Sequence, residues 1–378
     1  MTETEAVVKS IQRPTLLVNE SICRKNIERM SALAQRSRVI FRPHFKTHQS
    51  ASIGKWFRDS GVSAITVSSM TMARYFAGHH WKDITVAFPV NLREINEINA
   101  LAEKIHLNLL ADHPAVVKTL AGQLKHETGI FIEVDTGYHR TGVNWENTDL
   151  IDALLETIGK SGILRFQGFL SHTGNTYSAS SAKEIKKLHR TATDRMNFLK
   201  ERYLSSFPDL ILSLGDTPSF SMMDTVCDID EMRPGNFVFY DLMQQQLGAC
   251  SCKDIAIAVA CPVVASYPER NELVVYGGAI HFSKEHLMQG KQKIYGLAVR
   301  FTENKWVPLE PAAPLTALSQ EHGILHMDNR QIAAFQPGDL MYILPVHSCL
   351  TANLMGKYLT TTGKELDHMN RSHEPLHS

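Results

Sequence analysis

The chain has 378 residues, of which 43% are hydrophobic and 21% charged, and its 39 basic residues balance 39 acidic ones. This composition indicates a globular protein with one large or two smaller domains. Zero net charge gives no support to a nucleic-acid or membrane-surface partner, and no apolar run approaches the roughly 20 residues of a membrane span. The acidic, polar start, MTETEAVVKSIQRPT, is unlike a secretory signal. Six scattered cysteines without framework spacing predict reduced thiols, so we expect a cytoplasmic protein.

Strand-like runs alternate with helical stretches over the first two thirds of the chain. Thr15–Val18 is predicted as a first strand, followed by a helix over residues 21–36. Further strands are predicted at residues 39–46, 64–69, 84–90, 106–112, 129–135, 164–174, 210–216 and 231–241. This alternation favours a (β/α)8 barrel of the TIM type over residues 16–250, with a doubly wound open sheet as the alternative.

The last third of the chain has a different pattern. From about Cys250 onward, strand-like segments joined by turns predict a β-rich domain over residues 251–378. Residues 1–15 are predicted to be an N-terminal segment that joins this β-rich domain.

Polar or glycine residues stand at the ends of the predicted barrel strands. A barrel places all of these ends on one face, which is the face that carries chemistry. The residues concerned are Lys46, Ser68, Ser69, Asp112, Asp135, His172, Gly215, Asp216 and Arg233.

Lys46 is the candidate reactive residue in the stretch VIFRPHFKTHQS. His44, Lys46 and His48 stand at alternate positions, so a strand would point all three to one side. An amine that is poorly solvated and surrounded by imidazoles shifts toward its neutral form, which a Schiff-base lysine requires. The alternative is a basic strand end on the surface.

Three loops offer groups that bind anions. Arg140, in the glycine-containing stretch 135–142, could bind an anionic oxygen through two hydrogen bonds, although a turn with a solvated arginine is the alternative. The stretches 214–219 and 233–236 combine glycine with hydroxyl or amide residues at strand ends, where free backbone N–H groups suit a phosphate. Late barrel loops are the usual phosphate site of this architecture.

His347 and Cys349 are a candidate metal pair in the β-rich region. They are two residues apart, so a strand would aim both at one place, and imidazole with thiolate suits zinc. Two protein ligands would leave positions for water and substrate, as a catalytic site needs. A chance pairing of histidine and cysteine is the alternative.

These motifs, in this order, resemble the pyridoxal-phosphate enzymes of the alanine-racemase-like fold (fold type III), specifically the D-serine dehydratase and D-threonine aldolase family. The resemblance extends over residues 14–360. RPHFKTH resembles the segment of the cofactor lysine. HTGNTY (172–177), RPGNFVFYD (233–241), SQEHGIL (319–325) and HSCLTAN (347–353) resemble later blocks of the family, and the last three are similar to eukaryotic-type, zinc-dependent D-serine dehydratase.

The resemblance implies a role for each matching residue. Lys46 would hold the cofactor covalently and then remove the α-proton, with Arg140 near the phenolic oxygen and Tyr177 at the ring or its pyridine nitrogen. The other cofactor residues would be His172, with Thr217, Gly235 and Asn236 at the phosphate, and the metal ligands would be His347 and Cys349. Asp216 departs from the family, where a small residue is frequent, and we expect its carboxylate to point away from the phosphate or to bind a backbone N–H.

The implied activity is β-elimination of D-serine to pyruvate and ammonia. The resemblance also implies a divalent cation, zinc or alternatively manganese, and a homodimer with shared active sites. Retro-aldol cleavage of the D-threonine aldolase type is one alternative, although family aldolases often have aspartate where Cys349 stands. Action on 3-hydroxy-D-aspartate is another, and would need an added cation, for which His44, His48 and His172 are candidates. A racemase would have no use for the metal, and a non-catalytic binder of pyridoxal phosphate would not need the metal pair.

Overall fold

The computed structural model describes residues 9–371. Residues 1–8 of the predicted N-terminal segment and residues 372–378 of the predicted β-rich domain therefore lie outside the described residues. The chain forms two compact units. The barrel unit consists of residues 29–46 and 57–235, and the β unit contains the chain up to Glu28, the stretch Thr47–Trp56 and the chain from Asn236 onward.

Eight parallel strands form the sheet of the barrel unit, and from the second strand onward each pairs with the next along the chain. They are Ile40–Phe41, Ala64–Val67, Asp83–Pro89, His106–Ala111, Thr128–Asp135, Leu164–His172, Ile211–Gly215 and Glu231–Met232. The last strand pairs with the first, and a parallel bridge between His44 and Thr66 links the first to the second. The ring is thus connected all the way round, and the predicted barrel is confirmed. A short strand, Val143–Asn144, adds to Thr128–Asp135.

One helix precedes the first barrel strand, and the others lie between consecutive barrel strands. The helices are Glu20–Ser37, Ala51–Asp59, Met70–Gly78, Ile95–Ala102, Pro114–Gln123, Thr148–Gly159, Ala182–Tyr203 and Thr217–Ser221, with 3-10 turns at Leu92–Glu94 and Gly174–Ser178. The longest begins because the Ser181 side chain accepts a hydrogen bond from the Glu184 N–H, a usual helix start. It buries Ile185, Met196 and Leu199 at helical spacing. Capping and periodicity therefore explain where this helix lies.

The β unit contains a largely antiparallel sheet. Its strands, in spatial order, are Glu272–Tyr276, His322–His326, Pro314–Leu318, Gly296–Thr302, Leu340–Pro345, Ile257–Tyr267, Thr15–Val18, Tyr358–Thr360 and Glu365–Leu366, with Lys305–Pro308 on Gly296–Thr302. A hairpin pairs Leu287–Gln289 with Gln292–Ile294. The helices are Leu242–Gln246, Ala279–Phe282, Asn329–Ile332 and Ser348–Met355, with 3-10 turns at Asn236–Val238, Cys252–Asp254, Pro268–Arg270 and Met369–Arg371. The predicted β-rich C-terminal domain is confirmed.

The strand Thr15–Val18 lies in the β unit, whereas the sequence predicts it as the first strand of the barrel. It pairs antiparallel with Ile257–Tyr267, with Thr15 opposite Ala260, and parallel with Tyr358–Thr360. A short apolar run fits a buried position in either sheet, so its composition does not specify its partner. The observed units consequently differ from the predicted boundaries near residues 16 and 250.

The stretch that contains Lys46 is a turn and not the predicted strand over residues 39–46. The strand ends at Phe41, and residues 45–48 form turns. Pro43 has no N–H to donate to a neighbouring strand, and its carbonyl accepts from Thr66 N. His44, Lys46 and His48 therefore do not share one face of a strand.

Within residues 9–371, none of the helices combines the length and the apolar character that crossing a membrane requires.

Candidate active site

Lys46 lies in a turn whose position is fixed by its buried neighbour Phe45. The Phe45 ring packs against Phe57, Phe76 and Trp81, with ring centroids 4.8 to 5.0 Å apart. Lys46 itself is exposed, in contrast to the poorly solvated amine that the sequence predicts. A rigid aromatic anchor thus holds the backbone of the turn, while the lysine side chain projects from it.

Two half-buried histidines of the barrel unit, His44 and His172, have lowered pKa values. Burial, followed by the charges of Lys46 and of nearby arginines, lowers the pKa of His44 well below its usual value and that of His172 to about 3. The Nδ1 of His172 bonds to the carbonyl oxygen of Gly215, which can only accept, so Nδ1 carries the proton. The Nε2 of His172 is consequently a hydrogen-bond acceptor.

The predicted ring and phosphate residues of the barrel unit lie together. The Thr217 N–H donates to the Tyr177 hydroxyl at 3.3 Å, and the Gly235 N–H donates to Thr217 Oγ1 at 3.3 Å. Thr217 opens the short helix Thr217–Ser221 and is fully buried. The structure thus brings together three predicted cofactor residues from three separate stretches of the chain.

Asp216 caps this short helix. Its Oδ1 accepts from the Ser219 N–H at 2.6 Å, and its Oδ2 accepts from the Thr173 hydroxyl. The expectation that this carboxylate binds a backbone N–H is confirmed. The negative charge is directed at its own helix, where the first N–H groups carry partial positive charge.

Arg140 lies in a loop that Asp135 organises. The Asp135 Oδ1 accepts from the N–H groups of Gly137, Tyr138 and His139 at 2.8 to 3.0 Å. Both Gly137 and His139 have positive φ angles, which this tight turn requires. The Arg140 guanidinium lies 5.4 Å from the centre of the Tyr138 ring. A cation–π contact with another residue of the same loop therefore orients the arginine.

His347 and Cys349 lie at the start of a helix and not on the predicted strand. The strand ends at Pro345, and His347 directly precedes the helix Ser348–Met355. Burial alone would lower the pKa of His347, but a hydrogen bond that its ring donates to the Cys349 sulfur and the negative charges nearby raise it to about 9. The two side chains therefore meet, although the secondary structure that joins them differs from the prediction.

Asn236 lies in the β unit beside this pair. Its Nδ2 donates to Asp241 Oδ2 at 2.7 Å and to Ser348 Oγ at 3.0 Å, and lies 3.6 Å from Cys349 Sγ. Asp241 also accepts from the Ser348 N–H at 2.8 Å. The Asn236 side chain is thus engaged with the start of the helix Ser348–Met355.

The His–Cys pair fits a metal ion that it would share with other ligands. The Nδ1 of His347 is buried without a hydrogen-bond partner among the described residues, and a thiol lies beside the imidazole. Among residues 9–371, no cluster of three or more histidine, cysteine or acidic side chains could hold a metal. A cation held by this pair would keep coordination positions open for water and substrate.

The barrel cluster fits an anionic cofactor. Three cations, Lys46, Arg140 and Arg233, act together on the pKa values of His44 and His172. Such a concentration of positive charge favours a phosphate and a phenolate. The residues present therefore fit pyridoxal phosphate.

The sequence predictions omitted several residues that contact these clusters. Tyr138 packs edge-on against His172, with ring centroids 5.8 Å apart, and a Cβ on Gly174 would lie 2.3 Å from the Tyr138 ring. Asp241 and Thr47 contact the metal-pair region. Asp241 closes the RPGNFVFYD motif and Thr47 follows Lys46, so position within a motif is the signal that could have identified both.

Two family models match the chain. Residues 18–242 match the family described as "Alanine racemase, N-terminal domain", and residues 256–361 match the "Putative serine dehydratase domain". The first covers the barrel strands and the second covers most of the antiparallel sheet.

Two dehydratases are similar to this chain over most of its length. A D-serine dehydratase of Dictyostelium discoideum is 28% identical over 388 residues, covering 95% of each chain. A D-threo-3-hydroxyaspartate dehydratase of Delftia sp. HT23 is 27% identical over 354 residues, covering 90% of this chain and 92% of that protein.

The structure of the Delftia enzyme is also similar to this chain. It superposes with a TM-score of 0.87 at 25% identity, covering 96% of this chain and 98% of that one. A cysteine-to-alanine mutant of the same enzyme, in the metal-free form, gives a TM-score of 0.88. Because the alanine racemase model spans more than half of the sequence, the chain belongs to the alanine racemase N-terminal domain family, and the resemblance predicted from the sequence is confirmed.

Proposed function

We propose that this protein is a pyridoxal-phosphate- and metal-dependent lyase that converts D-serine to pyruvate and ammonia. The observation that carries the proposal is the contact between His347 and Cys349, in the part of the chain that matches the putative serine dehydratase domain. Racemisation moves one proton and needs no such pair, whereas loss of a β-hydroxyl benefits from a Lewis acid.

The residues of the barrel unit bind and orient the cofactor and move the proton. Pyridoxal phosphate, when bound, supplies an electron sink for the α-carbanion. Lys46 would anchor it and take the α-proton at its Nζ, and Arg140 would bind the phenolic oxygen. Tyr177 and His172 would contact the ring. Thr217, Gly235 and Asn236 would hold the phosphate.

The residues of the β unit hold the cation. A divalent ion, zinc by its preference for imidazole and thiolate, supplies a Lewis acid that makes the β-hydroxyl a better leaving group. His347 and Cys349 are its two protein ligands, and the named metal-free form of the similar dehydratase supports a bound metal. The product of elimination, aminoacrylate, hydrolyses to pyruvate and ammonia.

Dehydration of 3-hydroxy-D-aspartate is the second candidate function, because a dehydratase of D-threo-3-hydroxyaspartate is similar over most of the chain. A second carboxylate on the substrate calls for an additional cation. The candidates from the sequence were His44, His48 and His172, and burial lowers the pKa of all three well below neutrality. Uncharged imidazoles do not supply that cation, which favours D-serine.

One set of assays tests the proposal. The holoenzyme is incubated with D-serine, D-threonine or 3-hydroxy-D-aspartate, and pyruvate, 2-oxobutanoate, oxaloacetate and glycine are measured. We expect pyruvate from D-serine at the highest kcat/KM and no glycine from D-threonine. Glycine release would show an aldolase, preference for hydroxyaspartate would show the second candidate, and no product at all would show a non-catalytic cofactor binder.

We further propose a cytoplasmic homodimer with shared active sites. The six cysteines are free thiols, which agrees with a reducing compartment. Leu350 and Leu354, on the helix that begins beside Cys349, are exposed apolar side chains of the kind that a second subunit covers. Light scattering of the purified protein tests the dimer, and a mass of one chain would refute it.

A further inference from the structure

The segment that follows the reactive lysine adopts an unusual backbone conformation. Residues 45–48 form turns, and Gln49 has a φ of +47°, in the left-handed region that non-glycine residues rarely occupy. The chain then enters the helix Ala51–Asp59. A conformation of this kind persists only where surrounding contacts enforce it.

Those contacts come from Asp367, near the end of the described chain. Its carboxylate accepts from the N–H of Ala51 at 2.7 Å, from the N–H of Ser52 at 2.8 Å and from the hydroxyl of Ser50 at 3.1 Å. The first N–H groups of a helix have no partner within it, and a carboxylate satisfies both their hydrogen bonds and their partial positive charge. Asp367 thus fixes the start of this helix from a point more than 300 residues away in sequence.

Neighbouring residues of the same C-terminal stretch hold the rest of the turn. The Tyr358 hydroxyl donates to the carbonyl oxygen of His48. The Met369 N–H donates to the carbonyl oxygen of Gln49 at 2.8 Å, and the Gln49 side chain donates to Asn353 Oδ1 at 3.1 Å. Every residue from 48 to 52 therefore has a hydrogen bond to the stretch 353–369.

The segment held in this way begins immediately after Lys46 and Thr47. The Thr47 hydroxyl lies 3.3 Å from Cys349 Sγ, and the peptide bond fixes the Cα of Lys46 about 3.8 Å from that of Thr47. A shift of the segment would move the backbone of the lysine and the hydroxyl beside the metal ligand together. Misplacement by about 1 Å can reduce a rate about 100-fold.

We propose that Asp367 is a positioning residue for the reaction, acting through residues 48–52 on Lys46 and Thr47. This inference rests on the proposed function, because it assigns Lys46 to the cofactor. Asp367 touches neither substrate nor cofactor in this role. Its function is to hold the turn in the one conformation that presents the lysine.

The test compares three variants of the full-length holoenzyme. Asp367→Ala removes all three hydrogen bonds, and Asp367→Asn retains an acceptor oxygen. Asp328→Ala is the matched control, because Asp328 caps the helix Asn329–Ile332 through a 2.8 Å bond from Gln331 N, outside the lysine segment. The measurements are kcat and KM for D-serine and the pH midpoint of the visible band of bound pyridoxal phosphate.

We expect Asp367→Ala to lower kcat by about tenfold or more, to change KM by less than about twofold and to shift the pH midpoint of the band. In Asp367→Asn, kcat and the pH midpoint of the band should lie between those of Asp367→Ala and wild type. In Asp328→Ala, kcat and the midpoint should keep their wild-type values. Unchanged kcat and midpoint in Asp367→Ala would overturn the proposal. If Asp367→Ala does not fold, Asp367→Asn carries the test through the same two measurements.

Failure of the proposed function gives a different result. A wild type that binds the cofactor but releases no pyruvate refutes the D-serine activity, and the band titration still tests Asp367. A colourless wild type refutes the cofactor assignment. In that case, amide hydrogen exchange of residues 47–53 in the cofactor-free protein tests whether Asp367 holds the turn. Faster exchange in Asp367→Ala than in Asp328→Ala supports this role, and equal exchange overturns it.

Discussion

The hydroxyl oxygen of Thr47 lies 3.3 Å from the Sγ of Cys349. One of these residues follows the proposed cofactor lysine directly, and the other is a proposed metal ligand. The two are 302 residues apart in sequence. A hydroxyl at this distance can donate to a thiolate, and such a bond tunes a metal ligand and fixes its orientation.

We therefore predict that Thr47→Val weakens metal binding. Loss of a partner of a metal ligand typically costs 10- to 100-fold in affinity or activity, so we expect an increase of about tenfold in the Kd for zinc. Competition with a chromogenic chelator measures this. Thr47→Ser, which keeps the hydroxyl, should remain within about threefold of wild type, and equal affinity in all three proteins would contradict the prediction.

Lys46→Ala should abolish cofactor attachment and catalysis. Proton transfer by a positioned side chain is worth about 100- to 10,000-fold, and the covalent anchor is lost as well. We expect no visible absorbance band after reconstitution and loss of pyruvate release from D-serine. Lys55→Ala, which removes an exposed lysine of the next helix, is the control. A band that persists without Lys46 would exclude it as the anchor.

Removal of the metal should separate binding of the cofactor from catalysis. Treatment with a chelator, or the variant His347→Ala, should abolish pyruvate release while the visible band remains, because the two groups of ligands are different residues. Zinc should restore the chelated wild type but not the variant. Cys227→Ser, at an exposed cysteine, should behave as wild type, and full activity after exhaustive chelation would refute the role of the metal.

Asp216→Ala should destabilise the protein and weaken cofactor binding. It removes the cap on the Ser219 N–H and the bond from the Thr173 hydroxyl. Loss of a helix cap costs about 1 kcal/mol, and hydrogen bonds to a buried charge raise this to about 1–3 kcal/mol. Urea unfolding of the cofactor-free protein measures the loss. Asp216→Asn preserves an acceptor for the cap and should recover about half, and equal losses in both variants would argue against capping.

The stability of the cofactor-free protein should fall as the pH decreases from about 6.5. Burial lowers the pKa of His48 and of His172 to about 3, whereas an unfolded histidine titrates at about 6.5. Between these values the unfolded state binds more protons, so the free energy of unfolding rises with pH, by up to about 1.4 kcal/mol per pH unit for each group. Their contribution is fully present above pH 6.5 and is lost toward pH 3.

Urea unfolding between pH 7 and pH 5 measures this dependence. His172→Gln should reduce its slope, since one of the imidazoles with a lowered pKa is gone. The control is His322→Gln, at an exposed position, which should retain the wild-type slope. An unchanged slope in His172→Gln would show that this histidine does not contribute.

The sequence predicts the barrel well because each strand is a compact apolar run between helical segments. It also identifies Tyr177, Thr217 and Gly235, which the structure brings into one hydrogen-bonded chain. The motifs work here because each lies in the loop or turn that follows a barrel strand. Closure of the barrel places the C-terminal ends of all strands on one face, so the fold alone brings these residues together.

The failures have physical causes in local backbone chemistry. Alternation of His44, Lys46 and His48 implied a strand, but Pro43 and the burial of Phe45 turn the chain instead. The spacing of His347 and Cys349 implied a strand as well. The stretch that follows contains leucine, alanine and methionine, which are good helix formers, and Gly356 ends the helix with a φ of +58°. A glycine at this position is typical of the end of a helix, so Gly356 indicates that the preceding residues are helical.

The contacts of Asp367 and Asp241 were beyond sequence reasoning for another reason. Each carboxylate accepts from backbone N–H groups distant in sequence, Ala51 for the first and Ser348 for the second. Pairings of this kind depend on tertiary structure, since any acidic residue can accept from any helix start. Only coordinates identify the partner.

The placement of Thr15–Val18 has a consequence for how the protein is made. This strand is translated well before its neighbours Ile257–Tyr267 and Tyr358–Thr360. A nascent chain must therefore keep an apolar strand unpaired until both neighbours have been translated. Sheets with such distant partners form slowly, and their unpaired strand edges are prone to aggregation until they pair. Chaperone supply and translation speed should therefore govern the yield of folded protein more than its final stability does.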